Sequence, residues 1–307
     1  MLPLIDWHPR ATLQPVDFDW LQRAGVEVAV LRLDRIDPLI SGNKWFKLTG
    51  YLQAAHSAGA QGLISLGGAH SNHLHALAAA GKRFGFATVG LLRGHPQQTP
   101  TTLDLERFGM QLHWLGFAGY RARHAPGFWE PWQAQYPLLH KVPEGGGGLA
   151  GAAGCMPLVT QVREQLNALG WDDYDGWWLA AGTGTTLAGL VLGEDPQRTV
   201  FGALAVPDDH GVAPQVEQIL WAAGRVQRSF ELIDASRGGF AKVDEGLLNF
   251  IRDSEAASDL PLEPLYTGKA LMALKQAVEA GRFTPGQRLV FVHTGGLQGR
   301  RGFEALQ

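Results

Sequence analysis

Two lysines one helical turn apart are the most reactive feature of the chain. They lie in Ser41-Gly-Asn-Lys-Trp-Phe-Lys47, where a turn-forming Ser-Gly-Asn runs into a helix with Lys44 in its first turn and Lys47 on the same face. A helix N-terminus is an unfavourable place for a cation. The Lys44 amine is therefore expected below its ordinary pKa, in the neutral form that attacks a carbonyl carbon. A lysine taken alone is usually a solvated surface group; two further motifs set this one apart. Leu66-Gly-Gly-Ala-His-Ser-Asn-His73 reads as strand, glycine turn and helix start, so the N–H groups of Ser71, Asn72 and His73 could hold a carboxylate or simply open a helix capped by Ser71 or Asn72. The run Trp177–Gly189 places Thr183, Gly184, Thr185 and Thr186 where an apolar strand meets a helix, a setting for a phosphate or for a plain strand-to-helix turn. It lacks the glycine-lysine-serine ending of a nucleotide loop, and Leu187 stands where a dinucleotide fingerprint needs its third glycine. His70, His73 and His75 have no neighbouring carboxylate or thiolate to complete a metal set. Tyr266 and Thr294 add hydroxyls near the ends of elements late in the chain, where a core tyrosine and a strand-end cap are the alternatives.

Elements that could position these groups alternate along the chain. Short apolar runs at Val28–Leu33, Gly62–Leu66, Ala87–Leu92, Leu112–Leu115, Trp177–Ala181, Val200–Val206, Phe230–Ile233 and Leu289–His293 read as strands covered on both faces. Helices are expected at Lys44–Ser57, Ser71–Phe84, Pro157–Leu169, Thr185–Leu192, Ala213–Ala223, Asp244–Ser258 and Gly268–Ala280. This alternation predicts an α/β fold with parallel sheets and right-handed crossovers. The stretch Gly116–Gly154 is irregular, with four prolines and the run Gly145–Gly148. It reads as a linker or as a binding loop, after a strand-like Leu138–Val142 and the charged Glu144.

Composition narrows the class. The chain has 307 residues, enough for two lobes with separate cores. Its formal charge of −3 gives no electrostatic footprint for nucleic acid or anionic membrane. A single cysteine, Cys155, excludes an internal disulfide. With neither a signal-peptide pattern at the start nor an apolar run of membrane-spanning length, the expectation is a soluble, cytoplasmic protein. Glycine is unusually frequent, 40 of 307 residues, and concentrates where strands hand over to helices.

Taken in order, these motifs resemble the pyridoxal-phosphate enzymes of the tryptophan synthase β-subunit (type II) fold. More narrowly, the chain resembles the branch holding aminocyclopropanecarboxylate deaminase and D-cysteine desulfhydrase. The likeness rests on Gly42-Asn-Lys44 with Lys47, Gly67-Gly-x-x-Ser-Asn72, Pro143-Glu-Gly-Gly146, Thr183-Gly-x-Thr186, Tyr266-Thr-Gly-Lys269 and His293-Thr-Gly-Gly296. It implies a two-lobed type II fold with parallel-rich open sheets covered by helices. Residues 1–47 and 156–307 would form the larger, cofactor-binding domain and residues 48–155 the smaller one. It implies pyridoxal 5'-phosphate as cofactor, carried by Lys44, which then moves the substrate Cα proton. Lys47 and Thr183–Thr186 would bind the phosphate, Asn72 the ring hydroxyl, and Thr267 and Thr294 would lie near the pyridine nitrogen. Ser71 with the Asn72 and His73 amides would clamp the substrate carboxylate, and Tyr266 would lie at the substrate. A homodimer acting on a small amino acid is the expected assembly.

Departures surround the substrate. The deaminase pattern has Glu and Leu where this chain has Thr267 and Thr294, as the desulfhydrase pattern does. His70 replaces a usual Gln, Phe46 a common Arg, and Gly147-Gly148 a usual Ser-Asn. D-cysteine elimination to pyruvate, sulfide and ammonia is thus the leading expectation. Aminocyclopropanecarboxylate deamination, serine or threonine dehydration, racemisation and a non-catalytic metabolite-binding role are its rivals. The first prediction concerns the amine. Borohydride reduction of the holoenzyme should leave a stable cofactor adduct on Lys44, located by peptide mass mapping and lost in Lys44→Ala; an adduct on Lys47 or Lys269 would exclude Lys44.

Overall fold

The computed structural model describes residues 1–207, 210–227 and 229–306. The chain opens with β1 (Thr12–Val16), α1 (Asp19–Ala24) and β2 (Glu27–Arg32), then α2 (Asn43–Ser57). A second group follows: β3 (Gly62–Gly67), α3 (Asn72–Phe84), β4 (Ala87–Leu92), α4 (Pro100–Arg107), β5 (Gln111–Trp114), α5 (Gly116–Arg121), α6 (Glu130–Gln135) and β6 (Leu139–Lys141). Next come α7 (Gly148–Cys155), α8 (Pro157–Arg163), β7 (Gly176–Ala181), α9 (Thr185–Gly193), β8 (Thr199–Leu204) and α10 (Val212–Ala222). The last are β9 (Phe230–Asp234), α11 (Glu245–Ala257), α12 (Thr267–Glu279) and β10 (Arg288–His293).

The strands form two sheets. One runs β1-β2-β10-β7-β8-β9, parallel except for β1, which pairs antiparallel with β2; the other runs β5-β4-β3-β6 and is parallel throughout. Every residue of β3 and of β7 is buried, the mark of strands covered on both faces. Loops at the carboxyl ends of such strands meet helix N-termini, which is where open α/β sheets bind ligands. No helix among the described residues is long and apolar enough to cross a membrane.

Differences from the sequence reading have local causes. β1 contains Pro15 and lacks a clean apolar run; it survives because it is an edge strand. α4 begins in Thr99-Pro-Thr-Thr102, which looks like a turn. Here Thr99 and Thr102 cap the helix reciprocally and Pro100 fills its first position. The helix expected over Pro157–Leu169 stops at Arg163 and resumes as a single 3₁₀ turn at Leu166–Leu169. The linker reading of Gly116–Gly154 is corrected: this stretch carries α5, α6, β6 and most of α7.

The glycines of α7 explain that last difference. A Cβ on Gly151 would overlap the Gly146 carbonyl oxygen, and one on Gly154 would overlap the Phe46 carbonyl oxygen. Their bare Cα atoms let α7 lie directly against α2 and the 145–147 turn, which draws the N-terminal ends of α2 and α9 toward one point. Gly154→Val should therefore force these helices apart. Overpacking of this kind costs about 1–3 kcal/mol, readable as a lower urea midpoint at unchanged slope; unaltered stability would show that the contact is not tight.

Candidate functional site

A cavity of about 950 Å³ opens between the two sheets, lined by the first turns of α2, α3 and α9 and by loops after β3, β7 and β10. Lys44, Lys47, Ser71, Asn72, His73, Thr183, Gly184, Thr185, Thr186, Tyr266 and Thr294 all face it. Thr267 does not. It is fully buried, its hydroxyl accepting from Glu263 N at 3.0 Å and donating to Glu263 O at 3.3 Å.

Lys47 is buried and Lys44 half-buried on the cavity wall. Burial pulls the Lys44 amine down to about 8, against the opposing pull of Cys155 and Glu263. Burial and then the charge of Lys44 take Lys47 to about 7. The sequence suggested a lowered Lys44 because of the helix end; desolvation is the larger cause. Lys44 Nζ donates to Asn43 Oδ1 at 2.9 Å, and Asn43 Nδ2 donates to the Thr186 hydroxyl at 2.8 Å. Thr186 thus orients the amide that orients the amine, a role distinct from the phosphate contact expected of it.

Lys47 has no carboxylate partner among the described residues. Its Nζ reaches only the Gly145 carbonyl at 3.2 Å and the Thr183 hydroxyl at 3.4 Å. Thr183 and Thr185 hydroxyls lie 3.1 Å apart beside the start of α9. Gly184, at φ +71°, makes the left-handed turn into that helix that a side chain would strain. A half-neutral buried amine, two hydroxyls and free helix N–H groups form a set that an anion completes.

At the start of α3, Ser71 is the cap, its Oγ accepting from Leu74 N at 3.1 Å. The hydroxyl hydrogen and the neighbouring N–H groups remain for a ligand. Asn72 Oδ1 accepts from Gln298 Nε2 at 2.8 Å. His73 is neutral, its pKa driven down to about 3 by burial and the two lysines. Ser65 Oγ spends its hydrogen on Val142 O at 2.9 Å, so it accepts from His73 Nε2 at 2.8 Å; this leaves Nδ1 a bare acceptor, buried without a partner.

Sequence reasoning missed Glu263 and the role of Asn43. The Glu263 carboxylate lines the cavity and accepts N–H bonds of 2.6–2.8 Å from Leu265, Tyr266 and Thr267, fixing the turn that presents Tyr266. Burial nevertheless keeps its pKa above the usual carboxylate value. Burial first, then Glu263 and Glu144, raise the Tyr266 phenol, so it stays protonated. A carboxylate four residues before the first residue of α12 was the available signal for Glu263. Asn43 sits between the glycine and lysine already singled out.

Comparison with known proteins agrees with this geometry. The profile of the family described as pyridoxal-phosphate dependent enzyme matches residues 16–295. A Pyrococcus horikoshii protein provisionally named 1-aminocyclopropane-1-carboxylate deaminase is 28% identical, over 90% of this chain and 86% of its own. A D-cysteine desulfhydrase of Klebsiella pneumoniae is 25% identical, over 92% of each. The crystal structure of an ACC deaminase homologue superposes with a TM-score of 0.83 at 26% identity, covering 99% of this chain and 95% of that one.

The amine corner generates a titration. In cofactor-free protein, competitive labelling of Lys44 should follow deprotonation with a midpoint near 8 rather than 10.5. Glu263 holds that value up, so Glu263→Gln should move the midpoint lower; an upward shift would contradict the attraction between the two groups.

Proposed function

The chain belongs to the family of pyridoxal-phosphate-dependent enzymes, and from that premise we propose that it is a lyase that eliminates sulfide from D-cysteine, leaving pyruvate and ammonia. The observation that carries this reading is a lysine amine brought down to about 8 in the same cavity as Lys47, the paired Thr183 and Thr185 hydroxyls and the start of α9. Those residues fit the cofactor: Lys47, Thr183, Thr185 and the start of α9 suit its phosphate, and Lys44 stands within the same cavity. The unpartnered His73 Nδ1 is an acceptor open to a ligand's hydrogen-bond donor.

When bound, pyridoxal phosphate supplies a carbonyl carbon for amines and a conjugated ring that spreads charge developing at the substrate Cα. The chain does the rest. Asn43 aims the Lys44 amine, and burial, by bringing it down to about 8, eases loss of its own proton so that it can accept the one from Cα. The Ser71 hydroxyl and the N–H groups of Asn72 and His73 hold the carboxylate and so fix which Cα bond meets Lys44, while the Ser71 N–H is already given to the Gly68 carbonyl. Tyr266, kept protonated, can donate to the departing sulfur. In balance, the Cα–H and Cβ–S bonds break, sulfur leaves with the electron pair, and water completes the conversion to pyruvate and ammonia.

Thr294 on the cavity wall supports elimination over ring opening, because a hydroxyl there would hold no charge beside the ring nitrogen, and Thr267, turned away into the Glu263 turn, adds none. The Glu263 carboxylate on the cavity wall favours the second reading, opening of aminocyclopropanecarboxylate, as does the name of the Pyrococcus relative. Products separate the two. The holoenzyme should release pyruvate and sulfide in equal amounts from D-cysteine, with kcat/KM exceeding that for 2-oxobutanoate from aminocyclopropanecarboxylate; the reverse order would overturn the assignment.

A further inference from the structure

The 116–154 stretch, which in sequence reads as a linker or a binding loop, builds one wall of the cavity with the end of β4, and that wall carries three arginines. Arg93 follows β4 directly, and its N–H donates to Gly67 O at 3.0 Å, which seats it beside the turn that leads to Ser71. Gly94 and Gly116 exchange two main-chain hydrogen bonds, of 3.3 and 3.0 Å, tying this segment to α5. Arg93, Phe117, Tyr120 and Arg121 thereby line the same cavity as Lys44. The guanidinium of Arg93 lies 5.7 Å from the Phe117 ring centroid. A third arginine is already answered: Arg123 Nε donates to Glu144 Oε2 at 2.6 Å, while the Tyr120 hydroxyl donates to the other oxygen of Glu144. Among the described residues neither Arg93 nor Arg121 has a carboxylate partner.

We propose that Arg93 and Arg121 form a second anion subsite, and that the enzyme takes amino acids whose β-substituent is itself an oxyanion, a phosphate or a sulfonate. The inference rests on the elimination reading of the Lys44 site but not on D-cysteine as the substrate. A guanidinium fork matches tetrahedral oxyanions with paired N–H donors. The size also fits: about 950 Å³ lies at the upper end of ligand pockets, whose usual range is about 300–1,000 Å³. For O-phosphoserine the chemistry closes without oxidant or reductant. The Cα proton leaves to a base, the Cβ–O bond breaks with its electron pair departing on phosphate, a Cα–Cβ double bond forms, and water yields pyruvate and ammonium.

The test compares holoenzyme on both enantiomers of O-phosphoserine and of the neutral β-chloroalanine, reading pyruvate. In the double variant Arg93→Gln with Arg121→Gln, the ratio of kcat/KM for the phosphate over the chloride should fall at least tenfold, while the double Arg→Lys variant keeps most of it. Added salt should lower the same ratio in the unaltered enzyme. Equal losses on both substrates, or loss of bound cofactor from the double variant, would overturn the subsite. Thermal melting with O-phosphoserine reads binding apart from turnover: a rise in Tm that the Gln variant abolishes supports the subsite even if no substrate eliminates, whereas that lack of turnover would sink the lyase reading. No shift in the unaltered protein refutes the subsite.

Discussion

Two amines drawn into one cavity wall, Lys47 buried and Lys44 half-buried, with no carboxylate hydrogen-bonded to either among the described residues, are the constraint around which this molecule is arranged. Separating a charge from solvent is costly, and proteins usually answer a buried cation with an anion. Here Lys47 meets only a carbonyl and a hydroxyl, and Lys44 only an amide oxygen. The cost appears as depressed proton affinity in both. What is lost in stability becomes reactivity: one amine is ready as a base or nucleophile, and the corner stays hungry for a dianion.

The placing of those amines depends on how closely the helices approach. α7 packs against α2 and α9 through glycines whose bare Cα atoms let neighbouring backbone come close. The same glycines would make a poor isolated helix, so α7 exists through packing rather than propensity. Stability and the position of Lys44 thus trace to one interface. The Glu263 turn works likewise on the opposite wall, where a buried carboxylate accepts main-chain N–H bonds and holds a tyrosine in place.

Much of the site was legible in one dimension, because strand-to-helix junctions carry their chemistry locally. Gly42-Asn-Lys44, the 67–73 turn and the 183–186 loop each contain both the backbone device and the reactive groups. Partner choice was not legible. Thr186 and Thr267 carry the same hydroxyl as Thr183, yet one is spent on Asn43 and the other on Glu263 main chain. A hydroxyl's partner depends on neighbours more than a hundred positions away for Thr186 and on the path of a turn for Thr267.

Residue order by itself determined the α/β alternation, the family resemblance and which junctions hold reactive groups, because periodicity and glycine placement act over a few residues. Tertiary structure alone decided that burial, more than the helix end, depresses Lys44. It also decided that Glu263 joins the cavity and that Arg93 at the end of β4 and Arg121 in the irregular 116–154 stretch face it together. Desolvation and convergence are properties of three-dimensional packing: they depend on what the rest of the chain brings alongside, and no local spacing encodes that.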